Sequence, residues 1–365
     1  MSLKTVEERK VKEKVAGRPL VERVPALDLK VQAKRVQVPD IARKLIVNPL
    51  SLTGLIIVLF FIFVALAAPL LAPPWKPDEP YRIWKEGFAT EPQPPNPEHP
   101  FGTTESQYDI YYGVVWGTRT AFRVGLVITL TTVLIGLTIG SVAAYYGGWI
   151  DEVLMRIVEV FMTFPFLLAA ITLVSVLQTI YGRAEGGVVK LVLVWATKLV
   201  ALISFGHMPW KELEPTDVRL ITGMLALIAF GWMSYARLIR GDILSVKERD
   251  FVMAARTLGA GDLRILLRHI LPNAIYPTMV VASMDIGSYV LSFAALSFLG
   301  LGAPIGYADW GQMISLARNW ISRLAEYWYI LIYPGMAILL FVLGWNLIGD
   351  AFRDILDPKL RRPTR

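Results

Sequence analysis

Few residues in this sequence have the types and spacing that catalysis needs. The chain contains no cysteine, which excludes a disulfide framework, a thiolate metal site and a cysteine nucleophile. His99, His207 and His269 are scattered singly, and no GxxxxGKS or GxxxxGKT phosphate-binding loop is present. Asp285, in contrast, lies inside a long apolar run. Because an intramembrane carboxylate is costly and normally faces a bundle interior or a wet cavity, Asp285 is a candidate translocation-path residue, with a structural hydrogen-bonding role as the alternative.

A polar stretch, residues 240–273, separates two strongly apolar segments, and its second part is predicted to form two short helices. Gly259 tolerates positive φ and should end the first helix, and Asp262 can cap the second. The residues at helical spacing on one face of the first helix are Phe251, Ala254, Ala255 and Leu258. Those on the second are Leu263, Leu266, Leu267 and Ile270. Ala254 and Ala255, small and expected to be exposed on the first helix, would suit docking into a partner's groove; the alternative is an ordinary charged loop.

The composition places this stretch in a membrane protein. The 365 residues are 55% hydrophobic and 18% charged, with a mean hydropathy of +0.50. A soluble domain would carry roughly a quarter charged residues. The net charge of +7 lies largely beside apolar segments, where the inside-positive bias and anionic lipid account for it, so nucleic acid is not a predicted partner.

Six apolar segments are predicted to cross the bilayer. The first, residues 50–71, would rise about 33 Å, which is enough for a hydrocarbon core of roughly 30 Å. The others cover residues 121–146, 157–179, 220–239, 274–300 and 329–348. Gly136 and Gly140 in the second are spaced for close helix packing. In the third, Phe164-Pro165 is expected to introduce a bend, and Glu159, a carboxylate near a membrane surface, is by position alone a boundary charge.

Charge divides the remaining chain between two sides. Residues 1–44 carry twelve Lys/Arg and six Asp/Glu and form a predicted basic cytoplasmic tail. The predicted segments that follow are a first transmembrane helix at 45–72, an acidic extracytoplasmic loop at 73–118, a permease core at 119–350 and a cytoplasmic tail at 351–365. Trp310-Gly-Gln-Met is expected to open a further outer loop that contains the interface anchors Trp320 and Trp328.

One further apolar run, residues 188–205, is interrupted by Lys190 and Lys198. A seventh span here would move the basic loop at 240–273 outside. We therefore predict an extracytoplasmic amphipathic or re-entrant element within an insertion at 181–217. It could serve as a lid, a docking surface or a stabilising belt.

The order Ala254-Ala255, three residues, Gly259, and later Leu271-Pro272 resembles the "EAA" loop of ABC-importer permeases, with Met253 in place of the motif's glutamate. In that family the loop forms a coupling helix that sits in a cleft of the cytoplasmic ATPase. The resemblance therefore implies an ATPase-coupling role for eight residues: Met253, Ala254, Ala255, Arg256, Gly259, Asp262, Leu271 and Pro272.

Three other motifs are similar to the second permease of dipeptide/oligopeptide importers. The outer motif of that family keeps its residues at His99, Pro100, Gly102, Thr103, Asp109, Gly117 and Arg119. It departs at Gln107 and Tyr108, where the family usually has Gly-Arg. Residues 294–302 match "EAALSFLGLG" except that Phe293 replaces the glutamate, and residues 346–360 resemble the family's "NLLGDxLRDxLDPRL" terminus. The resemblance also implies that Glu159 pairs with a base such as Arg156.

The resemblance implies an all-α polytopic fold with six transmembrane helices of the type I ABC importer permease architecture. Its implied partners are a homologous permease in a heterodimer, two cytoplasmic ABC ATPase subunits, an extracytoplasmic substrate-binding protein and the lipid bilayer. The chain would be a non-catalytic subunit of the cell membrane with both termini cytoplasmic and no cofactor of its own, because ATP and magnesium would bind the ATPases.

The substrate class implied first is di- and oligopeptides, with oligosaccharides or nickel as alternatives within the same machine. A stand-alone secondary transporter is a different class of explanation, but it would need internal repeats and paired broken helices, and none is evident in the sequence. A membrane enzyme would need clustered catalytic groups, which the sequence does not present.

Overall fold

The computed structural model describes residues 48–183 apart from 86, 88 and 90, then 194, 195 and 198, and finally 215–356. The predicted basic tail and nearly all of the predicted insertion lie outside these residues. The roles predicted for residues 188–205 fall there as well. The α-helices are α1 Pro49–Leu71, α2 Ile110–Tyr146, α3 Gly148–Met162, α4 Phe166–Arg183, α5 Pro215–Val246, α6 Asp250–Thr257, α7 Asp262–Arg264, α8 Leu271–Ala274, α9 Tyr276–Phe298, α10 Trp310–Leu316 and α11 Leu324–Leu356. A π-helical turn, Ile265–Ile270, joins α7 to α8, and a 3₁₀ helix, Ala317–Arg323, precedes α11.

Five stretches of the described chain are long and apolar enough to cross a membrane, and a bent helix pair raises the number to as many as six. This confirms the prediction of an all-helical polytopic protein. The bent pair is α3 with α4, whose axes differ by 87°. The sequence predicted one span at 157–179 with a bend at Phe164-Pro165; instead the helix breaks there completely. The predicted ion pair within α3 is present, with Arg156 Nη1 and Glu159 Oε2 at 3.3 Å.

The centre of the bundle is the contact between α2 and α5, which approach closely at two glycines. A Cβ atom added to Gly136 would lie 2.4 Å from the Cβ of Tyr235, and one added to Gly140 would lie 2.3 Å from the carbonyl oxygen of Ala236. Distances this short leave no room for any side chain larger than hydrogen. The predicted role of both glycines in close helix packing is confirmed.

The first helix packs on the last. Asn48 caps α1 by accepting a hydrogen bond from the Leu50 amide at 3.1 Å, and Pro49 follows in the first turn, where it costs no backbone hydrogen bond. Near the middle of α1, the Phe61 ring contacts the Phe341 ring of α11 with centroids 5.3 Å apart. Most other side chains of α1 are exposed, as expected of a helix that faces lipid.

Helix α2 begins at Ile110, about eleven residues before the predicted start of the second span, so the predicted outer loop ends at Asp109. Asp109 caps the helix by accepting from the Tyr112 amide at 2.7 Å, and its other oxygen lies 2.5 Å from His99 Nδ1. Both side chains are buried. The outer motif of the sequence therefore builds the junction between the loop and α2.

The segment Trp310-Gly-Gln-Met, predicted to open an outer loop, is instead the start of the buried helix α10. The Trp310 indole donates to the Val114 carbonyl at 3.1 Å and lies against Gly117, where an added Cβ would meet the ring at 2.6 Å. The chain after α9 thus turns back into the bundle. Helix α11 includes a first turn from Leu324 but is kinked at Tyr327, whose φ of −106° and ψ of 28° are not helical, so its long part starts beside the predicted residue 329. Trp320 lies in the 3₁₀ helix rather than in a loop.

Candidate functional site

The polar stretch between α5 and α9 folds as two short helical pieces, which we call the 250–274 segment. Helix α6 ends at Gly259, whose φ of +78° lies in the left-handed region that favours glycine. The Gly259 amide donates to the Arg256 carbonyl, and the Ala260 amide donates to the Ala255 carbonyl, at 3.0 and 3.1 Å. This pair of bonds is the Schellman motif, which satisfies the last carbonyls of a helix. The predicted helix end at Gly259 is confirmed.

The second piece is not a regular helix. The Leu271 amide donates to the carbonyl of Leu266, five residues back, so the chain forms a π turn. Pro272 follows at once; it lacks an amide hydrogen and its ring crowds the carbonyl four residues earlier, which disfavours a continuous α-helix here. Residues five apart then share a face, and Ile265 and Ile270 are both buried.

Apolar packing and polar contacts attach the segment to the ends of α2 and α5. The Tyr145 hydroxyl at the end of α2 donates to Asp262 Oδ1 of the segment at 2.6 Å. Lys247, directly after α5, donates from Nζ to the Ala144 carbonyl at 2.9 Å and so joins the two helix ends to each other. The buried apolar cluster beneath consists of Ala144, Ile239, Ile243, Val252, Ala255, Ile265, Leu266, Ile270 and Ala274. Since this cluster contains residues from both sides, the segment should move together with the ends of α2 and α5.

Several large apolar side chains of the segment lie outside the buried cluster and are exposed to solvent. We call this set the outward face and define it as Phe251, Met253, Leu258, Leu263 and Leu267. Leu258 is 87% exposed and Leu263 is 70% exposed. Arg256, Arg264 and Arg268 are exposed in the same segment. A cluster of large exposed apolar side chains on a polar segment is typical of an interaction surface.

Three sequence predictions about the segment were therefore wrong. Ala255 was expected to be exposed beside Ala254, but it belongs to the buried cluster. Leu263 and Leu267 were expected on the packed side of the second helix, but both are exposed, and Ile265, which was not part of the predicted face, is buried instead. Asp262 was expected to cap that helix; it is instead the first helical residue, the cap is Gly261, and the carboxylate binds Tyr145.

The eight predicted coupling residues separate into two groups. Ala255, Asp262 and Leu271 contact the bundle or lie partly buried against it. The exposed members are Met253, Ala254, Arg256, Gly259 and Pro272. The coupling role of these residues stays a prediction, and the sequence pattern did not separate the residues that anchor the segment from those that are exposed.

Asp285 lies in α9, partly exposed, and its Oδ2 accepts a hydrogen bond from the Tyr235 hydroxyl of α5 at 2.5 Å. One turn further along α9, the Tyr289 hydroxyl donates to the Gly231 carbonyl at 3.4 Å. These bonds tie α9 to α5, as the structural alternative for Asp285 requires. Its position on a translocation path stays a prediction.

Within the described residues, no group of three or more His, Asp or Glu side chains is arranged to hold a metal ion. The glycine-rich stretch at the end of α9 binds other parts of the bundle through its backbone. Its carbonyls at Phe298, Gly300 and Leu301 accept hydrogen bonds from Arg318, Arg219 and Gln178, respectively. Cationic and amide donors at a helix C-terminus satisfy the last carbonyls and the negative end of the helix dipole.

Residues 136–362 match the family described as binding-protein-dependent transport system inner membrane component, and residues 38–95 match the N-terminal TM domain of oligopeptide transport permease C. The dipeptide transport system permease protein DppC of Alkalihalophilus pseudofirmus is 34% identical over 86% of this chain and 87% of its own length.

Two further relatives are also permease proteins of transport systems. The oligopeptide transport system permease protein OppC of Bacillus subtilis is 31% identical over 86% of this chain and 87% of its own length. The glutathione transport system permease protein GsiD of Pectobacterium atrosepticum is 34% identical over 73% of this chain and 75% of its own length. Each relative is a permease protein, in agreement with the prediction of a membrane subunit without a catalytic site. The chain belongs to the family of inner membrane components of binding-protein-dependent transport systems.

Proposed function

We propose that this chain is a permease subunit of an ATP-driven importer of dipeptides and oligopeptides. The similar proteins are named for dipeptide, oligopeptide and glutathione transport, all substrates built on peptide bonds, which supports peptides over oligosaccharides. The chain would form the path together with a homologous permease, receive its substrate from an extracytoplasmic binding protein and lie in the cell membrane with both termini cytoplasmic.

The observation that carries the coupling role is the outward face of the 250–274 segment. A cytoplasmic ATPase subunit with an apolar groove would bury these side chains, and acidic groups at the rim of the groove would suit Arg256, Arg264 and Arg268. Complete burial of a leucine side chain contributes about 1.5–3 kcal/mol. Met253, Ala254, Arg256 and Pro272 would contact the ATPase, whereas Ala255, Gly259, Asp262 and Leu271 would hold the segment in the geometry that docks.

ATP hydrolysis would then act on this chain from outside. Closure of the two ATPases would move the docked segments as levers, and each permease bundle would open alternately toward either side. ATP can drive this change only if the closed ATPases bind one packing of the bundle more tightly than the other. Asp285, partly exposed and held by Tyr235, is proposed to lie along the path that opens.

The test is purification of the tagged chain from its native membranes in mild detergent. We expect two ATPase subunits and a second permease to co-purify, and we expect a peptide-loaded binding protein to stimulate ATP hydrolysis and peptide uptake in proteoliposomes. A chain that purifies alone and drives ion-dependent uptake without ATPases would refute the proposal.

A variant pair tests the docking face itself. Leu258→Asp places a carboxylate on the outward face and should weaken ATPase retention by tenfold or more, since the loss of 1.5–3 kcal/mol of burial corresponds to roughly that range. Ser245→Asp adds the same charge at an exposed position at the end of α5 and serves as the control. Equal ATPase retention by both variants would show that the face binds something else, such as lipid headgroups.

A further inference from the structure

Arg123 is a partly exposed cation on α2, and its side chain reaches Tyr81 and Tyr307, which lie outside the long helices. The ring of the preceding residue, Phe122, lies 5.1 Å from the ring of Phe341, and Phe341 in turn contacts Phe61 at 5.3 Å. Phe61 is near the middle of α1, a helix of 23 residues that is long and apolar enough to span the bilayer. The backbone of Arg123 therefore lies at the level of the hydrocarbon core and not at the level of the lipid headgroups.

The neighbours of Arg123 are neutral. Its Nη2 donates to the Tyr81 hydroxyl at 2.9 Å and its Nη1 to the Tyr307 hydroxyl at 3.4 Å. The guanidinium carbon also lies 4.5 Å from the centre of the Tyr81 ring, which is stacked on that of Tyr307. Among the described residues no carboxylate forms an ion pair with Arg123. The tyrosines orient the guanidinium but do not neutralise its charge.

The side of α2 that carries Arg123 is not fully covered by other parts of the described chain. Arg123 is partly exposed, and Leu130 and Leu134, two and three turns further along the same side of the helix, are 53% and 63% exposed. An arginine at the centre of a lipid-facing helix costs about 2.5–3.5 kcal/mol even on the scale that gives the lowest penalties, and Arg123, which lies nearer one end of α2, would carry part of that cost if it faced lipid. Charged residues at this depth normally face a water-filled cavity or a protein neighbour. The side of α2 around Arg123 should therefore not face lipid.

We infer that Arg123 lines the translocation path and binds the C-terminal carboxylate of the peptide that passes, an inference that rests on the proposed function. This carboxylate is common to all linear peptides, so a fixed cation can recognise it whatever the side chains are. A guanidinium has five N–H donors, and the two tyrosines engage two of them, which leaves three for a carboxylate. The Tyr81 hydroxyl accepts from Arg123 and keeps its own O–H to donate to the same ligand.

The natural absence of cysteine makes a sharp test available, because Arg123→Cys creates the single thiol of the chain. The assembled transporter in lipid nanodiscs would be treated with a membrane-impermeant, negatively charged methanethiosulfonate reagent, and labelling would be read on this chain. Leu59→Cys, at a similar depth on the exposed side of α1, is the control. We expect R123C to react at least tenfold faster than L59C and to be protected when a loaded binding protein and ATP deliver peptide.

Protection must exceed that given by ATP with the unloaded binding protein. Reaction as slow as that of L59C, or equal reaction with loaded and unloaded binding protein, would overturn the inference. A purely structural cation between the two tyrosines would give no protection that depends on peptide.

Uptake by the same variant tests the charge. We expect R123C to lower the peptide uptake rate at least tenfold, aminoethyl modification of the thiol to restore most of it, and sulfonatoethyl modification to leave it low. Unchanged uptake in R123C, or the same rate after both modifications, would contradict carboxylate binding. Wild-type transporter runs in parallel: failure of the wild type to import peptide would refute the proposed function, whereas normal wild-type uptake with a negative R123C result would refute this inference alone.

Discussion

The turn at Gly259 provides the most direct test of how the 250–274 segment works. Gly259 has a φ of +78°, and a Cβ added there would meet no atom within 4 Å. The cost of Gly259→Val is therefore one of backbone conformation and not of collision. A left-handed conformation costs a non-glycine residue about 1–2 kcal/mol, and a β-branched residue is the least tolerant of it. This is enough to reduce the population of the native turn roughly fivefold to thirtyfold relative to its open forms.

Opening the turn would release the hydrogen bonds that Gly259 and Ala260 donate to the end of α6, and the outward face would lose its fixed shape. We expect G259V to insert and assemble normally but to hydrolyse ATP with several-fold less peptide imported per ATP. The matched control is Gly259→Asn, because asparagine adopts left-handed conformations more readily than valine. Both rates would be measured in proteoliposomes with a saturating loaded binding protein. If G259V transports as many peptides per ATP as the wild type and G259N, the turn geometry has no part in coupling.

Three further predictions concern the bundle. Asp285→Asn keeps an acceptor for the Tyr235 hydroxyl but removes the charge, so uptake should fall while thermal stability changes little; Tyr235→Phe removes the bond but keeps the carboxylate, and equal effects of both on uptake would leave Asp285 a structural residue. Gly140→Ala should lower stability by about 1–3 kcal/mol through overpacking against α5, whereas Gly241→Ala, where an added Cβ meets nothing, should be neutral or stabilising in the same thermal melt. Asp109→Ala should cost about 1 kcal/mol or more through loss of the cap of α2, and an unchanged melting temperature would contradict that role.

Local signals in the sequence were sufficient to predict those helix ends and contacts that depend on a particular residue type. Helix α1 starts at an Asn-Pro pair that caps and pre-forms its first turn, and the observed end at Leu71 agrees with the prediction. The end of α6 was also predictable, because only glycine adopts positive φ freely. The close approach of α2 and α5 followed from two glycines four residues apart. In each case the residue type itself restricts the backbone.

The misplaced boundaries depended on contacts distant in sequence. The first turns of α2 contain aromatic and polar residues that resemble a loop, but the Trp116 indole donates to the Ala72 carbonyl at 2.9 Å, and Gly117 packs under Trp310. Helix α10 was predicted as a loop for the same reason. No periodicity in either segment reveals that the two bury each other. Likewise, the π turn at Ile265–Ile270 changes which residues of this piece share a face, and it depends on the hydrogen bonds before Pro272 and not on the apolar pattern.

Helix α2 connects the features that the sequence had presented as separate motifs. Its 37 residues rise about 55 Å without a break, from the Asp109 cap that binds His99 to the Tyr145 hydroxyl that binds Asp262. Arg123 lies nearer the first end of this rod, and the close contacts with α5 lie nearer the second. Because the helix has no internal proline and is clamped against α5, a displacement of the 250–274 segment should reach the level of Arg123 as a tilt of α2 and not be absorbed by local bending. If an ATPase docks on the segment as proposed, its closure would thus move the cation that contacts the peptide, and labelling of R123C should change with the nucleotide state even when no peptide is present.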